Sequence, residues 1–381
     1  MIKWFIKSIF FPAMNYKEAY FFTARLLAVE EAEQAVRLIS RNEVDWNKIV
    51  RIASSHLALP AIFIRLNNQE CRDFLPAELI CYLEYFYDLN RQRNLQILRQ
   101  VEKINHLLRS QNISPVVLKG VACLLDDVYK DPGERMVGDI DLLVGEEQLL
   151  PAVHTLKSAG YIQDSPIRKG LIKHIKHYPK LINPDEMAAV EVHRQPVCLA
   201  YTDFLDNRAI IKNCKTARSK TDALVPADEQ MVIHNFIHSQ LSDKAHYYGF
   251  ILIRNSYEFH LLRKRLKNQE VAVPFRYRVR YRAYSEITSE LMGLNPRLSL
   301  RTALTMKRLK FHLSNKRFYR ANLLLLYLIR KICSYFMKIP LLFYTRDFRL
   351  SLREKLTDRK WYGKHFTSIR DDVFYIVNRR N

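Results

Sequence analysis

Two aspartates separated by one aliphatic residue, Asp139-Ile140-Asp141, open an otherwise apolar run that continues Leu142-Leu143-Val144. On a β-strand successive side chains alternate between faces, so the two carboxylates share one face while Ile140 and Leu142 take the other. Two such anions repel, and in a partly buried site one would be driven to protonate unless a cation lay between them. Oxygen ligands of this kind point to Mg²⁺ or Mn²⁺. The spacing therefore predicts a strand over 139–144 with a divalent-cation site on one face.

The surrounding segment has special geometry. The chain has nine glycines in 381 residues, and Gly120, Gly133, Gly138, Gly145 and Gly160 all fall here. Glycine is needed where backbone turns sharply or approaches another group closely. Val116 to Leu118 reads as a short strand, Gly120 to Tyr129 as a helix, 131–134 as a loop, and Glu146 to Ser158 as a helix closed by Gly160. His174 to Ile182 and Ala188 to Arg194, joined by the turn Asn183-Pro184-Asp185-Glu186, read as a β-hairpin.

Helices flank this core. Residues 15–66 read as short helices, and Pro76 opens a long one from Ala77 to about Arg109. Leu79, Tyr82, Leu83, Tyr85, Phe86, Leu89, Leu95, Leu98, Val101, Ile104 and Leu107 form a stripe on it that is expected to be core. From Pro226 the pattern is helical to the end, with breaks expected at Val273-Pro274 and Lys338-Ile339-Pro340. The expected fold class is α+β, a small mixed sheet flanked by helices. Four segments follow: a helical region 1–112, the core 113–225, a helical region 226–272 packed on it, and a basic helical region 273–381.

An apolar content of 48% excludes a mostly disordered chain. The six cysteines form no Cys-x-x-Cys pair and read as reduced thiols in a cytoplasmic protein. Met1 to Met14 lacks the uninterrupted apolar core and cleavage site of a secretory signal, and no stretch is apolar and long enough to span a membrane. The net charge is +22, yet residues 271–381 hold 25 Lys+Arg against 7 Asp+Glu, so most of the excess lies in this tail. Cations interleaved with aromatics, as in Phe275 to Arg282, suit a nucleic-acid backbone, whereas the apolar face of Leu323 to Leu342 with Arg and Lys around it suits peripheral binding to an anionic membrane, at the inner face of the cytoplasmic membrane.

The run Leu118-Lys119-Gly120, then Gly133-Glu134-Arg135-Met136-Val137-Gly138-Asp139-Ile140-Asp141-Leu142-Leu143-Val144, then Val190-Glu191-Val192-His193, resembles the nucleotidyltransferase superfamily of the DNA polymerase β type. Within it the chain is most similar to a bacterial family of uncharacterised nucleotidyltransferases. The resemblance implies a metal-dependent transfer of a nucleoside monophosphate from a nucleoside triphosphate to an acceptor that the sequence does not identify. It implies that Asp139, Asp141 and Glu191 are catalytic and hold Mg²⁺ or Mn²⁺, in two sites about 3.5 to 4 Å apart. It also implies that Lys119, Gly120, Arg135 and His193 bind the nucleotide, Gly120 by letting a helix N-terminus approach the triphosphate. Val121 follows Gly120 where the superfamily usually has Ser or Gly, so that hydroxyl contact to phosphate is absent. Two other readings fit these residues: a catalytically degenerate member that binds nucleic acid or an anionic membrane, and a glycosyltransferase that holds a nucleotide sugar through Asp-x-Asp.

Overall fold

The computed structural model describes residues 14–41, 43–167, 172, 175–219, 221–267, 269–336, 339–344 and 346–378. They divide into two compact units, one ending at Met306 and the other starting at Lys307. No helix among the described residues is long and apolar enough to cross a membrane.

The first unit opens with α1 (Tyr16–Ala28), α2 (Ala32–Ser40), α3 (Trp46–Ser55), α4 (Leu59–Leu66), α5 (Gln69–Arg72) and the long α6 (Ala77–Arg109). A capping box starts α1: the Asn15 side chain accepts from the Glu18 amide at 3.0 Å, and Glu18 accepts from the Asn15 amide at 2.9 Å. The core follows as β1 (Val116–Leu118), α7 (Lys119–Leu125), β2 (Ile140–Leu143), α8 (Leu149–Ser158), β3 (Ile162–Gln163), β4 (Leu181–Ile182), β5 (Val190–His193), α9 (Asn207–Asn213), β6 (Lys215–Thr216) and β7 (Leu224–Val225). Then come α10 (Asp228–Phe236), running into a π-helical turn at Ile237–Ser242, and α11 (Ala245–Tyr248), α12 (Ile253–Arg265) and α13 (Phe275–Leu291). The boundary between the units falls within α14 (Leu300–Ser314). The second unit holds α15 (Lys316–Phe336), α16 (Ile339–Tyr344), α17 (Arg346–Thr357) and α18 (Arg359–Asn378).

The strands form one mixed sheet in the order β3-β4-β5-β2-β1-β7-β6. Its centre is aliphatic: Ile140, Leu143, Val190 and Val192 are fully buried. β2 runs parallel to β5 and antiparallel to β1. The fold is α+β, as the sequence predicts, with helical flanks on both sides of the core in the chain.

Local departures have physical causes. The helix after β1 stops at Leu125 rather than near Tyr129, because Asp127 takes a left-handed backbone (φ 52°). The expected hairpin is short: β4 meets β5 only through Leu181 and Val190, with one further bridge between His177 and His193. Pro179 has no N–H for the ladder. His174 lies outside the described residues. A break at Gly293 (φ 80°), which ends α13, was not expected.

The long helix α6 departs most. Leu79, Leu83, Val101 and Ile104 of the expected stripe are buried, but Tyr85, Phe86 and Leu89 are exposed. Amides take the core instead. Asn90 donates to the carbonyls of Gly133 (2.7 Å) and Arg135 (3.2 Å), and Asn94 donates to those of Pro132 and Arg135 (both 2.6 Å). Gln100 pairs both ways with the backbone of Ala188, at 2.8 and 2.9 Å. Buried backbone carbonyls need partners, and the amide face of α6 supplies them along the loop that leads to Asp139.

Candidate active site

The sheet register sets the acidic groups. Asp141 on β2 lies directly opposite Glu191 on parallel β5, and Leu118 of β1 lies opposite Asp141 on the other side. Glu191 and His193, two residues apart, share a face. The Nε2 of His193 stands 2.7 Å from Oδ1 of Asp141 and 3.3 Å from Oε2 of Glu191. Its Nδ1 is 3.3 Å from the carbonyl of Gln195, which can only accept, so Nδ1 carries a proton and Nε2 is directed at the carboxylates. Among the described residues, Asp141, Glu191 and His193 form the one group of three whose ligand atoms lie within 4.8 Å of one another.

Two amines lie against these carboxylates. Lys119 follows β1 with a left-handed backbone (φ 54°) and its Nζ pairs with Asp141, 4.0 Å from Glu191. A non-glycine residue in that region is strained and is held there by its surroundings. The Nζ of Lys180 lies 3.0 Å from Asp139 and 3.3 Å from Glu191. Burial alone would raise the Asp141 carboxyl, but Lys119 and His193 outweigh it and hold it far below the usual carboxylate range. Burial and the Asp141 charge are likewise outweighed at Glu191, chiefly by His193, His177 and Lys119, so its pKa is lowered. Lys119 is raised, because the three acids overcome its own burial.

These groups open on a cleft of about 400 Å³, of a size that suits a small ligand. Of the seven residues singled out in the sequence, Lys119, Gly120, Arg135, Asp139, Asp141 and Glu191 line it. His193 is fully buried and meets the carboxylates from behind. Asp139 lies one residue before β2, outside the tight Asp141, Glu191 and His193 group, and joins it through Lys180.

Arg135 is held by a long-range pair. Its Nε donates to Oε2 of Glu258 at 2.7 Å, and both residues are buried. Tyr129 (3.1 Å) and Asn235 (3.1 Å) also donate to that carboxylate. The preceding Glu134 is paired with Arg65 at 2.8 Å and accepts from Tyr257, so two neighbours on the loop lock onto two neighbours on α12. A Cβ on Gly120 would stand 3.2 Å from the Arg135 guanidinium, so the glycine makes room for that side chain at the start of α7.

Sequence reasoning missed the rest of the cleft, which includes Lys176, His234, His238, Arg254 and Glu258. The available signal was i, i+4 spacing, which places His234 with His238 and Arg254 with Glu258 on common helix faces. Lys176 and Arg254 have no carboxylate within ion-pair distance among the described residues; Arg254 reaches only the Asn255 amide oxygen, at 3.4 Å. Burial and the neighbouring Arg135 pull the Arg254 pKa down to about 10. Burial pushes the His234 pKa well below the usual histidine value, and its Nε2 has no hydrogen-bond partner among the described residues. His238 sits in the π-helical turn, a feature frequent at functional sites.

Residues 42–274, more than half of the chain, match the family described as uncharacterised nucleotidyltransferase. No curated protein matches the chain.

Proposed function

The chain belongs to this nucleotidyltransferase family, and we propose that it moves a nucleoside monophosphate from a nucleoside triphosphate to a hydroxyl or amino acceptor. The observation that carries the reading is the charge arrangement of one cleft. It combines a compact carboxylate and imidazole group with two cations, Lys176 and Arg254, that have no carboxylate within ion-pair distance among the described residues. Nucleotidyl transfer needs positioning and charge neutralisation more than covalent participation by the protein.

The donor set fits a divalent cation. Asp141, Glu191 and His193 present two carboxylate oxygens and one ring nitrogen within reach of a single ion. His193 has the usual arrangement of a metal-bound histidine, one nitrogen at a backbone carbonyl and the other facing the site. The two carboxylates suit Mg²⁺ or Mn²⁺, and the added imidazole, a ligand typical of transition metals, favours Mn²⁺ of the two. Such an ion would supply charge stabilisation at the phosphate oxygens. Asp139, held beside the group by Lys180, would complete the acidic wall.

Arg254, bonded only weakly to the Asn255 amide oxygen, and Lys176 offer donors to phosphate oxygens, and Arg135, fixed by Glu258, shapes the wall beside Gly120. The unsatisfied Nε2 of His234 offers one further polar contact to a ligand.

The test is incubation with each α-labelled nucleoside triphosphate, Mg²⁺ or Mn²⁺, and cell extract as the acceptor source. Pyrophosphate release and label transfer are expected, and both are lost in Asp141→Asn/Glu191→Gln. Label transfer that persists in that variant contradicts the assignment. Release of a nucleoside diphosphate from a nucleotide sugar identifies a glycosyltransferase instead.

A further inference from the structure

The helix α15 carries two apolar stripes on opposite faces. At about 100° per residue, Tyr319, Leu323 and Tyr327 fall on one side, and all three are buried. Leu325, Leu328, Ile329, Ile332 and Phe336 fall on the other, and between 42% and 65% of each is exposed; Tyr335 joins them at the edge, where its hydroxyl meets His365 of α18 at 2.8 Å. A contiguous exposed patch of large aliphatic and aromatic groups on a folded unit marks an interaction surface. The helix has five Lys and Arg and no Asp or Glu, with Arg317, Arg320 and Lys331 following one flank of the exposed stripe.

We propose that α15 lies along an anionic lipid surface, its exposed stripe at the headgroup boundary and its flanking cations at the phosphates. Three observations select this occupant, and none depends on the transferase reading. Residues 307–381 contain 19 Lys+Arg and 5 Asp+Glu, so a second copy seated on the same stripe would bring two strongly positive surfaces together. An anionic lipid surface complements that charge. The stripe is mainly Leu and Ile, which cannot stack on bases as a single-strand nucleic-acid platform requires. No described helix is apolar and long enough to cross the bilayer, which leaves an orientation in the interface plane.

The test is co-sedimentation of the full chain with phosphatidylcholine vesicles and with vesicles of equal phosphatidylcholine and phosphatidylglycerol, at low and high salt. Retention is expected on the anionic vesicles only, weakened by salt. Leu328→Asp/Ile332→Asp is expected to lower the partition coefficient at least about tenfold with unchanged circular dichroism. Should that variant not fold, the milder Leu325→Gln/Ile329→Gln serves in its place. The proposal is overturned if anionic vesicles retain nothing at low salt, whether or not RNA is held on a filter. It is also overturned if the folded variant partitions like the parent, or if sedimentation velocity shows a dimer that the substitutions dissociate.

Discussion

Arg135 and Glu258, 123 residues apart in the chain, share a buried 2.7 Å ion pair that fastens the loop before Asp139 to α12. Breaking a buried pair from one side leaves an uncompensated charge. Glu258→Gln is therefore expected to destabilise the protein by about 3–5 kcal/mol. Urea denaturation checks this, and Glu258→Gln combined with Arg135→Met is expected to recover part of the loss, because the stranded guanidinium is gone.

Gly133 lies close to α6. A Cβ there would meet the Tyr87 ring at 2.5 Å and the Arg91 Cβ at 2.9 Å, whereas one on Gly138 would meet nothing within 4 Å. Gly133→Ala should cost about 1–3 kcal/mol through overpacking. Gly138→Ala should stay within about 0.5 kcal/mol of the parent. Thermal melts of the two variants side by side provide the comparison.

Arg254 should behave unlike Arg135. It has no carboxylate within ion-pair distance among the described residues, so Arg254→Met removes a poorly compensated charge and is expected to leave the melting temperature unchanged or raise it. If the guanidinium meets phosphate, KM for the nucleoside triphosphate rises about tenfold to a hundredfold. A steady-state titration of the triphosphate, paired with a melt, separates this from a structural role.

Acid stability should depend on Glu286. Burial would raise its pKa, but hydrogen bonds from Arg282, Thr302 and Ser299 outweigh this and lower it from 4.5 to about 2. The native state thus holds the proton less tightly than the unfolded chain, so the contribution to stability is present above about pH 4.5 and lost as pH falls toward about 2. Denaturant unfolding across that window should show a shallower loss in Glu286→Gln than in the parent.

The parts of the fold legible in the sequence are those fixed by local pattern. Val116 to Leu118 and Ile140 to Leu143 announce themselves as short aliphatic runs, and Pro76 sets the start of α6. The two-residue strands β3, β6 and β7 carry no period to read, since their pairing depends on neighbours already in place. On α6 the polarity misled: Asn90, Asn94 and Gln100 look solvated until the carbonyls of the 132–135 loop and Ala188 are seen against them. At the site, the i, i+2 spacing of Glu191 and His193 was readable, but the placement of His193 behind the carboxylates follows from the sheet register. Lys180 and Lys176 come from segments whose approach to the cleft is tertiary, and no local pattern distinguishes them from surface cations, while Arg254 carries only the i, i+4 spacing to Glu258.

Asp141 and Glu191, with His193 behind them, are proposed to hold a divalent cation for nucleotide chemistry. Titration of the protein with Mn²⁺, followed by electron paramagnetic resonance of the free ion with and without nucleoside triphosphate, tests it most directly. A saturable site that tightens with the triphosphate and vanishes in Asp141→Asn/Glu191→Gln is the expected result. Mn²⁺ uptake that is equal in parent and folded variant, or absent from the parent even with triphosphate present, would contradict the claim.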